Sequence, residues 1–139
     1  MSRLIERLAE LHRYLVHLRE LRPRVQSVQQ LRADLSLHND VLFSLMQVCQ
    51  LVIDMAAELA SQRGQSFEDY TAAVRSLAAS GDFPPDLVRR LEPLPGFRNV
   101  LVHEYVSLDF TRVIDALDAL QPVEEFARIV EDLASRGAV

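Results

Sequence analysis

Between Phe97 and Tyr105 the chain reads Phe-Arg-Asn-Val-Leu-Val-His-Glu-Tyr, so Arg, Asn, His, Glu and Tyr crowd one short stretch directly after Pro93 and Pro95-Gly96. The guanidinium of Arg98 is planar, permanently charged and able to bind a phosphate with two donors at once. His103 can move protons near neutral pH. An RNA strand brings its own nucleophile, the 2′-hydroxyl. A histidine that removes that proton, or protonates the leaving 5′-oxygen, and an arginine that stabilises charge on the phosphorus oxygens form a minimal kit for metal-independent RNA cleavage. Asn99 and His103 are four apart and share a helix face, separated by roughly 40°. Arg98 and His103 are five apart, which places them roughly 140° apart on an ideal helix. Either Arg98 reaches around from an irregular start near Gly96, or the groups converge with those of another subunit. The same spacing also fits an arginine paired with a carboxylate and a histidine that only fills a partly buried position.

Other chemistry-bearing residues are weighed the same way. Asp54 is the one charge of the central apolar helix that could face inward, where a cation such as Arg98 or His103 is its natural partner. A solvated Asp54 is the alternative. Glu104 points to a different side from His103 and is not assigned as a base. His12 and His17 read as solvated helix residues, and His38 has no obvious partner. Cys49 sits on an apolar stripe and reads as a small buried hydrophobe.

The elements that must position these residues are helical throughout. Leu4, Leu8, Leu11, Leu15 and Leu18 predict an amphipathic helix from about Arg3 to Leu21, interrupted at Pro23. Val25, Val28, Leu31 and Leu35 suggest a short second helix with Ser27 as a possible N-cap. From about His38 to Gln62, two adjacent apolar stripes predict a helix buried on more than one side, stopped at Arg63-Gly64. Ser66-x-x-Asp69 resembles a capping box for a helix through Tyr70, Val74 and Leu77 to about Ala79. Pro84-Pro85 opens another helix, with Leu87, Val88, Leu91 and Leu94 inward. Pro93 and Pro95-Gly96 are expected to disturb the chain before a helix from near Phe97 to about Val106. Asp109 or Ser107 could cap the last pair, Phe110 to Leu120 and, after Pro122, Val123 to Ser135. The expectation is one all-α domain over residues 1–139, a bundle of five to seven helical pieces.

Composition narrows the classes further. The 139 residues carry 15 basic and 20 acidic side chains, a net charge of −5, and every basic residue is arginine. Without lysine there is no Walker A loop and no Schiff-base lysine. The single cysteine forbids an intramolecular disulfide, which favours the cytoplasm, and four scattered histidines offer no zinc site. No metal and no cofactor are expected. Met1 to Glu10 lacks the apolar core of a signal peptide. The apolar run Val41 to Ala60 holds Gln47, Gln50, Asp54 and Glu58, which argues against a bilayer span. The acidic balance argues against general nucleic-acid coating but leaves room for a local arginine cluster, Arg98 with Arg89 or Arg90.

Arg98, four residues of which the first is Asn99, His103, one residue, Tyr105: this string resembles the signature of HEPN-domain proteins of the HepT-like type, the toxins of HepT/MntA toxin–antitoxin pairs. Arg98, Asn99, His103 and Tyr105 match it residue by residue. The likeness runs from about Leu37 to Leu133 and includes the helix ending in Ile-Asp-Met-Ala-Ala-Glu-Leu, the phenylalanine before the motif arginine and the closing helix pair. The resemblance implies a homodimer with two Arg-x4-His motifs facing a shared cleft, and metal-independent ribonuclease activity on an RNA substrate. It implies a minimal nucleotidyltransferase of the MntA type as the neutralising partner, with Tyr105 as acceptor of AMP groups. Such a role needs an accessible Tyr105 hydroxyl, whereas a core tyrosine would be packed and hydrogen-bonded. Two readings from other classes stay open: a non-catalytic binding subunit of a nucleotidyltransferase, and an all-α dimerisation module.

Overall fold

The computed structural model describes residues 2–139, including every side chain in that range except those of Ser2 and Tyr105. It contains eight α-helices: α1 (Ser2–Leu21), α2 (Val28–Ala33), α3 (Leu35–Gln62), α4 (Tyr70–Arg75), α5 (Pro85–Leu91), α6 (Leu94–His103), α7 (Phe110–Leu117) and α8 (Gln121–Ser135). Short 3₁₀ turns cover Arg22–Arg24, Ser76–Ser80 and Tyr105–Ser107, and no strand occurs among the described residues. The fold is all-α, as the periodicity requires.

The core is built around α3. Its residues Val41, Leu45, Val48, Val52, Ile53, Met55, Ala56 and Leu59 are all buried, on two adjacent faces. α1 lies along it, burying Leu4, Leu8, Leu11, Leu15 and Leu18, and α6 and α4 cover other faces. α3 has the length and hydropathy of a membrane span, yet half of its most apolar window is buried by the rest of the bundle. On the far side α8 packs on α1 and α5, with Phe126 stacked on Phe83 at 5.6 Å between ring centroids.

Capping chemistry sets the boundaries, and in several places it shifts them from those the sequence suggests. Ser27 caps α2 by accepting the Gln30 N–H. Asp34, accepting from Leu37 N–H, starts α3 three residues earlier than expected. Leu35 thereby becomes its exposed first residue rather than a buried member of α2. The expected Ser66–Asp69 capping box is absent: Asp69 is itself the N-cap of α4, accepting from Ala72 N–H, and leaves Tyr70 half exposed. α3 stops where expected. Gly64 takes a left-handed φ of 71°, and Gln65 N–H reaches back to the Ala60 carbonyl.

The largest shift concerns the prolines. Pro93 is the N-cap of α6 and Pro95 sits in its first turn, so they open the helix instead of disturbing it. Gly96 lies inside the regular helix and supplies no irregular start. α6 ends at His103, three residues before Val106, and α7 ends at Leu117. Pro122 likewise opens α8. Asp109, not Ser107, caps α7 through the Thr111 N–H.

Candidate functional site at the end of α6

α6 attaches to the bundle through Pro95, Phe97 and Leu101, all buried, with Leu94 and Val100 partly so. That choice of inward face dictates where its polar residues go. Taking Phe97 as inward, Asn99 lies roughly 200° and His103 roughly 240° around the axis, so both point away from the core. Arg98, roughly 100° around, falls on the flank toward α3. The burial follows this scheme: Asn99 and His103 are exposed, and Arg98 is partly buried. Arg98 and His103 do diverge around a regular helix, and the irregular start that could have reunited them is not there.

Arg98 is held on its flank by α3. Its Nε donates to Oε1 of Gln50 at 2.8 Å, and Nε2 of Gln50 donates to Oδ1 of Asp54 at 2.8 Å. Nη1 of Arg98 also donates to Oδ1 of Asn99 at 3.2 Å. Asp54 therefore reaches Arg98 through Gln50, and no direct ion pair joins them among the described residues. Gln50 was not a site candidate from sequence. The signal that could have found it is its place four residues before Asp54, on the same face of α3. Asn99, matched to the motif, contacts Arg98 rather than His103.

His103 is the last residue of α6, at the end where a helix dipole favours positive charge. It makes no hydrogen bond or ion pair to another described residue. After it, Glu104 ends the helix, the 3₁₀ turn carries Val106 at 81% exposure, and buried Leu108 re-anchors the chain. Tyr105 belongs to that turn, but its side chain lies outside the described residues, so the placement of the expected AMP acceptor stays an expectation.

The remaining candidates are structural. His12 lies 3.4 Å from Glu131 on α8. His17 contacts both carboxylate oxygens of Asp40 on α3, at 2.8 and 2.9 Å. Both were expected to be merely solvated, but they link helices. His38 meets the Phe110 ring edge-on at 5.0 Å. Arg89 pairs with Asp86, and Arg90 with Asp86 and Glu125, so these two arginines are engaged by carboxylates. No group of side chains suited to a metal ion occurs among the described residues.

Cys49 is 2% exposed beneath this flank. Burial pushes its thiol up to about 12, against the opposing pull of the Arg98 charge. The thiolate is therefore scarce at neutral pH. Iodoacetamide at pH 7 is expected to leave the native chain unlabelled and to label it once in urea, read by intact mass.

A family model described as ribonuclease HepT-like matches residues 5–131. A curated protein of Archaeoglobus fulgidus, for which RNase activity has been proposed, is 30% identical over 87 residues, 63% of this chain and 66% of that protein. The chain thus spans just under two thirds of that curated relative. Among solved structures, a chain of a toxin–antitoxin complex with AMP-PNP aligns with a TM-score of 0.82 at 20% identity, covering 95% of this chain and 99% of that one. A chain of the complex between a tri-AMPylated HEPN toxin of Shewanella oneidensis and an MNT antitoxin aligns at 0.82 and 21% identity, covering 93% and 96%. At these identities the structural likeness is one of fold.

Proposed function

Because the chain belongs to the HepT-like ribonuclease family, we propose that it is the toxin of a cytoplasmic toxin–antitoxin pair and cleaves RNA without a metal. The observation that carries this is the matched motif on α6, where Arg98 is tethered to α3 on one flank and Asn99 and His103 are exposed. In the proposed reaction the RNA 2′-oxygen attacks the adjacent phosphorus and the bond to the 5′-oxygen breaks. A histidine takes the 2′-hydroxyl proton or gives one to the leaving oxygen, and Arg98 stabilises the charge on the non-bridging oxygens. The products are a 2′,3′-cyclic phosphate end and a 5′-hydroxyl end.

Arg98 and His103 point in different directions around α6, and a homodimer with two facing motifs supplies both groups to one phosphate. Cleavage of RNA by the purified chain in excess chelator tests the activity, and an intact substrate refutes it. A strictly monomeric molar mass refutes the facing-site arrangement.

The proposed partner is a minimal nucleotidyltransferase that neutralises the toxin by moving AMP from ATP to Tyr105. The 3₁₀ turn that holds Tyr105 follows His103 after a single residue, Glu104, so AMP groups there would add bulk and negative charge near the site. Incubation with the partner and ATP is expected to add whole AMP units by intact mass. Tyr105→Phe is expected to take none, and persistence of the additions in that variant excludes Tyr105.

A further inference from the structure

One side chain of the site has no role in the motif: Gln50, on α3, forty-eight positions from the arginine it touches. An amide can present either its oxygen or its nitrogen to a neighbour, and the wrong choice would set an N–H against the guanidinium. Here the second contact removes the choice. Asp54 can only accept, so Nε2 of Gln50 turns to it and Oε1 is left facing Arg98 Nε. All three groups are only partly buried, where water competes for each of them. The ordered sequence carboxylate, amide, guanidinium therefore serves orientation.

We propose that Gln50, its amide locked by Asp54, is the positioning residue for Arg98, so that the guanidinium meets a phosphate with its Nη1/Nη2 end. Nε is consumed by Gln50, and Asn99 takes one Nη1 donor. The donors that remain, one on Nη1 and two on Nη2, lie at the far end of the fork from Gln50. Holding them in place before RNA arrives removes part of the ordering cost of binding. The functional consequence rests on the ribonuclease reading, but the tether itself does not.

The tether is tested by NMR of the full chain without RNA, following the Arg98 Nε–H signal assigned with Arg98→Lys. A slowly exchanging signal is expected in the wild type, with fast exchange in Gln50→Met, a neutral replacement of similar length. Fluorescence anisotropy with a labelled single-stranded RNA, 2′-O-methylated to block cleavage, tests the consequence. Gln50→Met is expected to bind about tenfold more weakly, as for loss of one charge-assisted hydrogen bond. Asp54→Asn gives the sharper sign: freeing the amide to flip predicts weaker binding, whereas mere removal of a negative charge predicts tighter binding.

An unchanged Nε–H signal in a folded Gln50→Met, or tighter binding by Asp54→Asn, would overturn the proposal. If Gln50→Met does not fold, Asp54→Asn and its Nε–H signal decide alone. A wild-type chain that neither binds nor cuts RNA would remove the ribonuclease reading and leave the tether to the NMR result.

Discussion

Replacing His103 by alanine is expected to lower RNA cleavage by ~10²–10⁴-fold, the usual contribution of a positioned proton-transfer group. Arg98→Ala is expected to cost about 10²–10³-fold, as for loss of a donor aimed at developing charge. Both are read as initial rates on one RNA in excess chelator, with helical content and molar mass checked. The positions of the two side chains make these substitutions clean. His103 is exposed at the helix end and bonds to no other described residue, so its loss opens no cavity. Among the described residues, Arg98 leaves the Gln50 and Asn99 hydrogen bonds behind. His12→Ala on α1 serves as the contrast, since it removes only an exposed pair with Glu131 and is expected to cut at the wild-type rate. Equal cleavage by His103→Ala and wild type would end the assignment of His103.

The largest effect on stability is expected from Phe126→Ala. Phe126 is fully buried and stacked on Phe83, where α8 closes against α5 and α1. Removing the ring loses its transfer free energy and leaves a cavity, about 3–5 kcal/mol for a phenylalanine in such a site. Urea unfolding followed by circular dichroism should show a lower midpoint with little change in slope. Phe43→Ala, at 52% exposure on α3, is expected to cost far less. A loss below about 1 kcal/mol for Phe126 would mean that the α8 layer is not packed as described. The two experiments separate because Phe126 closes α8 chiefly against α1 and α5, whereas His103 is exposed at the end of α6.

Much of the fold was legible because helix periodicity is a local property. The leucines of α1 and the double stripe of α3 announce which faces are buried, and the structure buries those faces. Boundaries were less legible because capping depends on which of several neighbouring oxygens captures an N–H. Asp34, Asp69 and Asp109 win that competition, and the first two displace the expected starts. The prolines misled for a related reason. Proline is as well suited to open a helix as to break one, and only the position of Pro93 and Pro95 relative to the buried Phe97 separates the two roles. His12 and His17 were read as solvated because their acidic partners, Glu131 and Asp40, sit on other helices.

The sequence by itself determined the helical class, the buried stripes and the Arg-x4-His string, along with the divergence of Arg98 from His103, which follows from 3.6 residues per turn. Tertiary structure alone decided what Arg98 leans on. Gln50 and Asp54 announce each other at a spacing of four, but neither announces a residue forty-eight positions away. That contact exists because Phe97 and Leu101 seat α6 on α3 in one rotation, and packing across distant segments leaves no periodic trace in the chain.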